Sequence, residues 1–134
     1  MNDFPSCLEC TSCNLFADDT VIYCSGKTVP EINATLQSDV DKAIKWFHDN
    51  KLTVNIEKSC AITIGTQQRL KNQTEQLSIS IGNENLSLVE TIKYLGVTID
   101  DNISWNQHVN NLCSKILPRI ELLLKLNTNC PLNN

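Results

Sequence analysis

Two adjacent carboxylates, Asp18 and Asp19, follow the short apolar run Leu15-Phe16-Ala17 and precede Thr20-Val21-Ile22-Tyr23-Cys24. Neighbouring acids on a tight turn concentrate negative charge at one point. Such a point suits a hard divalent cation, which takes oxygen ligands and usually only one or two carboxylates, with phosphate oxygens and water completing the shell. Pairs of such cations drive phosphoryl and nucleotidyl transfer by activating the attacking oxygen and stabilising the leaving one. The same pair is also ordinary turn chemistry, because Asp hydrogen-bonds its own backbone there. On spacing alone a solvated turn is the favoured reading of Asp18-Asp19.

A second constellation is Cys7-x2-Cys10-x2-Cys13, which opens like a metal or iron–sulfur run. The run stops there, since position 17 is Ala, and Cys24 lies inside an apolar strand pattern. A structural zinc site wants four ligands at recognisable spacing. Small, partly buried thiols are the plainer reading, and without a secretory signal they are expected to be reduced. His48 and His108 lack matching carboxylate or thiol spacing and read as structural. Trp46 and Trp105 lie on or beside apolar stripes and read as core anchors.

Local signals place these groups on elements. Residues 15–24 read as strand, acidic turn, strand, closed by Ser25-Gly26-Lys27. A helix over 29–49 follows from the apolar stripe Ile32, Leu36, Val40, Ile44 and Phe47, with Gln37, Asp41 and Lys45 on the polar side. Thr28 and Glu31 have capping-box spacing, and Pro30 suits a first turn. Alternation predicts strands at Leu52-Val54-Ile56 and Ile62-Ile64, a loop over 65–76, and a hairpin over 77–89 turning at Gly82-Asn83-Glu84-Asn85. Tyr94 to Ile99 reads as one more strand. The final helix starts near Ser104, with Trp105, Val109, Leu112, Ile116, Ile120 and Leu123 as its apolar face. Pro118 is expected to kink or split it, and the tail from Asn127 to Asn134 to fray.

Composition bounds the function. The chain has 134 residues and 41% hydrophobic residues, enough for a packed core of modest size. No apolar run approaches the ~20 residues needed to span a bilayer. The N-terminus lacks the basic and apolar regions of a signal peptide, so an intracellular chain is expected, nuclear or cytoplasmic, with no membrane partner. A net charge of −4 argues against a self-sufficient nucleic-acid binder, which needs a basic surface. It is compatible with an acidic catalytic piece whose basic surface lies elsewhere.

The ordered series of motifs is more specific than any one of them. Leu15-Phe16-Ala17-Asp18-Asp19-Thr20-Val21-Ile22-Tyr23 closely resembles the active-site hairpin of non-LTR retrotransposon reverse transcriptases. Trp46-Phe47, Asn50-Lys51-Leu52-Thr53-Val54-Asn55 and Lys58 resemble the family's next motif. Lys93 to Asp100 resembles its primer grip, and Ser104-Trp105, His108-Val109 and Lys115-Ile116 resemble the helix that opens the thumb. Asn2-Asp3-Phe4-Pro5 is similar to the segment just before the hairpin. Within the family the motifs resemble those of insect jockey-like or related elements.

The resemblance implies RNA-directed DNA synthesis with Mg2+ as cofactor, an RNA template, a DNA primer and deoxynucleotides. It makes Asp18 a ligand of the catalytic metals and Asp19 the neighbouring acid. Phe16 takes the aromatic position beside the nucleotide, and Tyr94, Leu95 and Gly96 the turn that holds the primer. Lys58 matches a lysine that protonates the pyrophosphate; as a bare sequence feature it is equally an ordinary surface lysine.

The expected fold is α+β. Residues 1–76 would form the C-terminal part of a polymerase palm, 77–102 a small appended primer-grip sheet, and 103–134 the start of the thumb helix with its tail. Within the palm, the 15–24 hairpin and the 60–64 region would share one antiparallel sheet packed on the 29–49 helix. Only residues 1–17 precede Asp18, and they hold nothing like the family's fingers or its earlier metal-binding aspartate. The isolated chain is therefore expected to be inactive without an N-terminal polymerase half. The competing readings are a non-catalytic retroelement remnant with at most a binding role, and a small Cys-rich zinc module.

Overall fold

A computed structural model describes residues 3–128. The chain divides into two compact units, Met1–Val89 and Glu90–Asn134. The expectations for Asn2 and for the tail beyond Thr128, including Cys130, lie outside the described residues.

The first unit is organised by helix α1, Val29–Asp49. Its start differs in detail from a capping box. Thr28 occupies the N-cap with extended backbone, but its side chain makes no cap bond, and Glu31 accepts the N–H of Lys27 at 3.2 Å. Its end is a Schellman closure: Leu52 N–H donates to the Phe47 carbonyl at 2.8 Å and Lys51 N–H to that of His48 at 3.0 Å. Lys51 takes the left-handed position that glycine usually fills, with φ 58°.

One side of α1 carries the chain's N-terminal segment. Phe4, in a 3-10 turn over Phe4–Cys7, is fully buried. Its ring lies edge-on to Trp46 at 5.2 Å and tilted to Phe47 at 5.1 Å, while Trp46 Nε1 donates to Asp3. Strands β1, Ser12–Phe16, and β2, Asp19–Tyr23, then form an antiparallel hairpin in register from Ser12↔Tyr23 to Phe16↔Asp19. Ile22 of this hairpin packs against the core of Val40, Leu77 and Ile79.

The rest of the unit is built from very short pieces: β3, Cys60–Ala61; helix α2, Gln67–Lys71; β4, Ser80–Ile81; β5, Glu84–Asn85; and β6, Ser87–Leu88. β4 pairs with β5 around Gly82-Asn83, and β3 pairs in parallel with β6. The α+β class with short antiparallel pairs is as expected. The grouping is not. The 60–64 region does not join the β1–β2 hairpin; only Cys60–Ala61 is strand, and it pairs with Ser87–Leu88. Leu77 and Ile79 bury against α1, so this stretch belongs to the first unit's core. The predicted strand at 52–56 is absent. There the Asn55 side chain accepts the N–H of Lys58 at 3.1 Å and folds Ile56–Lys58 into a 3-10 turn, a local bond that competes with strand pairing. The predicted loop over 65–76 contains α2, capped by Thr66 through the Arg69 N–H.

Two amides of α1 hold the 78–80 backbone. Asn33 Oδ1 accepts the N–H of Ser78 at 2.9 Å. Gln37 accepts the N–H of Ser80 at 2.8 Å and donates to its carbonyl at 2.9 Å. The geometry suits this: four helical residues rise about 6 Å, and two extended residues advance about 6.6 Å. Gln37, read from sequence as solvent-facing, is thus a tertiary contact.

In the second unit, β7, Thr91–Tyr94, and β8, Val97–Asp100, form an antiparallel hairpin. Leu95 and Gly96 both have positive φ, 47° and 85°, as a type I′ turn requires. The stretch from Tyr94 to Ile99, read as one strand, is therefore the end of β7, a turn and most of β8. Asp100 accepts the backbone N–H and the hydroxyl of Ser104, which hold its carboxyl below the usual range. Helix α3, Asn106–Thr128, follows after two left-handed residues, Ile103 and Trp105. Pro118 does not split it; on so exposed a helix, water can satisfy the carbonyl that proline leaves free. Trp105 is not a core anchor: it is 54% exposed and meets only the His108 ring edge among the described aromatics. Val109, Leu112, Ile116, Ile120 and Leu123 are likewise exposed. No helix of the described residues is long and apolar enough to cross a membrane.

Candidate active site

The β1–β2 register leaves Ala17 and Asp18 as a two-residue loop. Two-residue hairpins favour primed turns, whose twist matches that of the flanking strands, and these demand positive φ. Ala17 meets the demand with φ 52°. An L-residue in the left-handed region costs about 1–2 kcal/mol, and strain of this kind gathers at functional sites. The turn puts Asp18 at the apex and makes Asp19 the first residue of β2, directly opposite Phe16. Directly paired residues share a sheet face, so Phe16 and Asp19 project from the same side of the hairpin.

All three side chains face solvent, Phe16 with 61% of its surface exposed. Neither carboxylate has a hydrogen-bond or ion-pair partner among the described residues. No three of His, Cys, Asp and Glu converge as metal donors among the described residues, the cysteine triplet included. Cys7, Cys10, Cys13, Cys24, Cys60 and Cys113 are free thiols; burial pushes Cys7 and Cys24 up. The tip therefore fits a share of a Mg2+ shell, since that ion accepts one or two protein carboxylates and takes its other oxygens from substrate and water.

Lys58 closes the 3-10 turn after Asn55 and makes no hydrogen bond or ion pair with Asp18 or Asp19 among the described residues. Tyr94, Leu95 and Gly96 belong to the second unit, at the β7–β8 turn. Beside that turn runs a groove of mixed character, whose lining includes Lys93, Thr98, His108, Asn111, Leu112 and Lys115. His108 Nδ1 accepts the N–H of Thr98 at 3.2 Å, and Asn111 donates to the Thr98 hydroxyl at 3.2 Å, fastening α3 to β8. His108 is thus structural, as its sequence context indicates.

One residue that sequence reasoning passed over is Asp39, fully buried on α1. It accepts the backbone N–H groups of Glu9, Cys10 and Thr11, and it pairs with Lys42. Burial pushes its carboxyl up, but the bonds from Cys10, Lys42, Glu9 and Thr11 outweigh burial and hold it well below the carboxylate range. The available signal was an acid set beside the apolar stripe, next to Val40 and one turn before Ala43.

Comparison with known proteins adds an independent line. The profile of the family described as reverse transcriptase (RNA-dependent DNA polymerase) matches residues 1–99. A Pol polyprotein from type-1 retrotransposable element R1 2 of Nasonia vitripennis is 22% identical over 83% of this chain and 27% of its own length. An R1 4 Pol polyprotein of the same wasp is 27% identical over 83% of this chain and 32% of its own. The RNA-directed DNA polymerase from mobile element jockey of Drosophila melanogaster is 24% identical over 72% of this chain and 10% of its own. The chain thus spans about a third or less of these relatives. No solved structure matches it significantly.

Proposed function

The chain belongs to the reverse transcriptase (RNA-dependent DNA polymerase) family, and from that premise we propose that it carries the active-site hairpin, primer grip and early thumb of a retrotransposon polymerase. The observation that bears most weight is the apex: two unpaired carboxylates presented on a strained turn with an exposed aromatic beside them. Asp18 is the metal-ligating carboxylate and Asp19 its acidic neighbour; Phe16 offers a face to the nucleotide and primer end. When bound, Mg2+ supplies charge stabilisation to the attacking and leaving oxygens.

Other parts act through position. The type I′ turn at Leu95-Gly96, with Tyr94 before it, holds the primer strand, and Gly96 lets a sugar–phosphate backbone approach closely. Lys93 and Lys115 in the adjoining groove place positive charge where phosphates would pass, although the whole chain is acidic. Lys58 donates a proton to the pyrophosphate. The substrates are deoxynucleotides, an RNA template and a DNA primer.

The coverage of relatives supports a further element of the proposal: the reaction needs a preceding polymerase half, and this chain alone is inactive. Primer extension on an RNA template with Mg2+ tests both statements. The isolated chain should give no extension. A polypeptide supplying the preceding half of an R1-type polymerase in frame should restore it, and Asp18→Asn should then lower the rate by about 1,000-fold or more. Extension by the isolated chain would overturn the dependence, and an active Asp18→Asn fusion would overturn the assignment of the apex.

A further inference from the structure

Asp39 is the buried charged side chain of this molecule, at 0% exposure among the described residues, and the proposed chemistry makes no use of it. Carboxylates are almost never buried this completely unless they are paired and hydrogen-bonded. Here the N–H groups of Glu9, Cys10 and Thr11 converge on Oδ2 at 3.1, 2.8 and 2.8 Å, and the Thr11 hydroxyl joins them at 2.9 Å. Lys42 Nζ lies 3.1 Å from Oδ1 and 2.9 Å from a Glu9 carboxylate oxygen. Successive N–H groups converging in this way form a concave anion nest. Its occupant is a side chain of α1. The cysteine-rich loop, whose spacing suggested a metal, is wrapped instead around a carboxylate, with the Cys10 N–H and not its thiol turned inward.

We propose that Asp39 is the positioning residue of the active-site hairpin. It seats the 9–11 loop on α1 and so sets where β1 departs and where the Asp18 apex lies relative to the helix. The significance for catalysis rests on reading that apex as the polymerase site. Thr11 is followed immediately by Ser12, the first residue of β1, so the nest is the last fixed point before the strand that carries the apex. Five residues of strand reach about 16 Å, so a tilt of about 10° at the base moves the tip by about 3 Å. Reacting groups tolerate much less; a misplacement of about 1 Å can cost about 100-fold in rate.

The charge is needed as well as the shape. A carboxylate is acceptor-only at both oxygens, which suits a nest on one side and an ammonium on the other. An amide at the same place would turn an N–H2 toward either the nest or Lys42. The opposite side of α1 holds the 78–80 backbone through Asn33 and Gln37, so the same helix carries an internal reference that Asp39 does not touch.

Backbone amide hydrogen exchange on the 134-residue chain, wild type against Asp39→Asn, tests this. Exchange at Cys10, Thr11 and across Ser12–Tyr23 should accelerate by about 10-fold or more, with Ser78 to Ile81 changing by less than about 3-fold. Equal acceleration at both places would mean that Asp39 only supports general stability and would overturn the proposal, as would unchanged exchange at Cys10 and Thr11. Should Asp39→Asn fail to fold, Thr11→Val decides. It removes the hydroxyl donor alone and should give a smaller acceleration, about 2–5-fold, confined to the same hairpin; acceleration spread over both regions, or none, would overturn the proposal. Mn2+ titration of the wild type and Asp18→Asn is read separately. Broadening at Ala17 to Thr20 that Asp18→Asn abolishes supports the metal reading, and its absence sinks that reading and leaves the exchange comparison intact.

Discussion

Replacing Ala17 with glycine should stabilise the protein, although Ala→Gly usually does the reverse. Ala17 sits at φ 52° in a two-residue loop. The left-handed conformation costs an L-residue about 1–2 kcal/mol, and glycine removes that cost. Against this, glycine widens the unfolded ensemble, a loss of about 0.4–1 kcal/mol. The balance is a gain of about 0.5–1 kcal/mol, or about 3–6 °C in Tm for a unit the size of Met1–Val89. Ala17→Val should move in the opposite direction, because a β-branched side chain is worst at positive φ. Urea unfolding followed by Trp46 fluorescence is the assay, in a Trp105→Phe background because Trp105 belongs to the other unit. A loss of about 0.5–1 kcal/mol in Ala17→Gly is the ordinary cost of glycine in a regular element. That result would refute both the left-handed turn and the strain assigned to the apex.

Phe4→Ala should cost about 3–5 kcal/mol, since it empties a fully buried aromatic site between Trp46 and Phe47; a loss under about 1 kcal/mol in urea titration would show that the N-terminal turn is not seated on α1. Acid should destabilise the first unit through Asp39. Its carboxyl lies below the ordinary value of 3.8 in the folded state, so its contribution is complete above that value and is lost as pH falls through the lower folded one. Thermal melts from pH 6 down to pH 2 should therefore fall less steeply for Asp39→Asn than for wild type, and parallel curves would show that Asp39 is not the group concerned.

The parts of this fold legible in sequence are those with strong local periodicity. The hairpin shows because Asp18-Asp19 interrupts two β-rich runs, and α1 because Ile32, Leu36, Val40 and Ile44 repeat at helical spacing. The partners of the short strands were not legible. Cys60–Ala61 and Ser87–Leu88 make a two-residue ladder, too short for any periodicity, and tertiary contact alone selects it. At Tyr94 to Ile99 the β-rich run continues across a turn, and the left-handed position at Leu95 is held by a residue that does not announce it. Asp39 and Gln37 were obscured for a shared reason: polar residues on an amphipathic helix read as solvated, whereas here both are satisfied by backbone from distant segments. Phe16, Asp18 and Asp19 come together because they are neighbours in sequence, whereas Lys58 and the Tyr94-Leu95-Gly96 turn depend on chain paths that periodicity does not encode.

The amides of Asn33 and Gln37 have a consequence for solubility. A strand whose outward N–H and C=O groups are bare is a template for another chain, and exposed edges of this kind seed intermolecular pairing. At Ser80 the Gln37 amide offers one acceptor and one donor, the pair that an adjacent strand would present, and Asn33 occupies the N–H of Ser78. α1 thereby acts as a counterfeit neighbour that terminates the sheet. Losing it would expose a β-rich run beginning at Leu77, so a chain with a frayed α1 should self-associate before it unfolds completely.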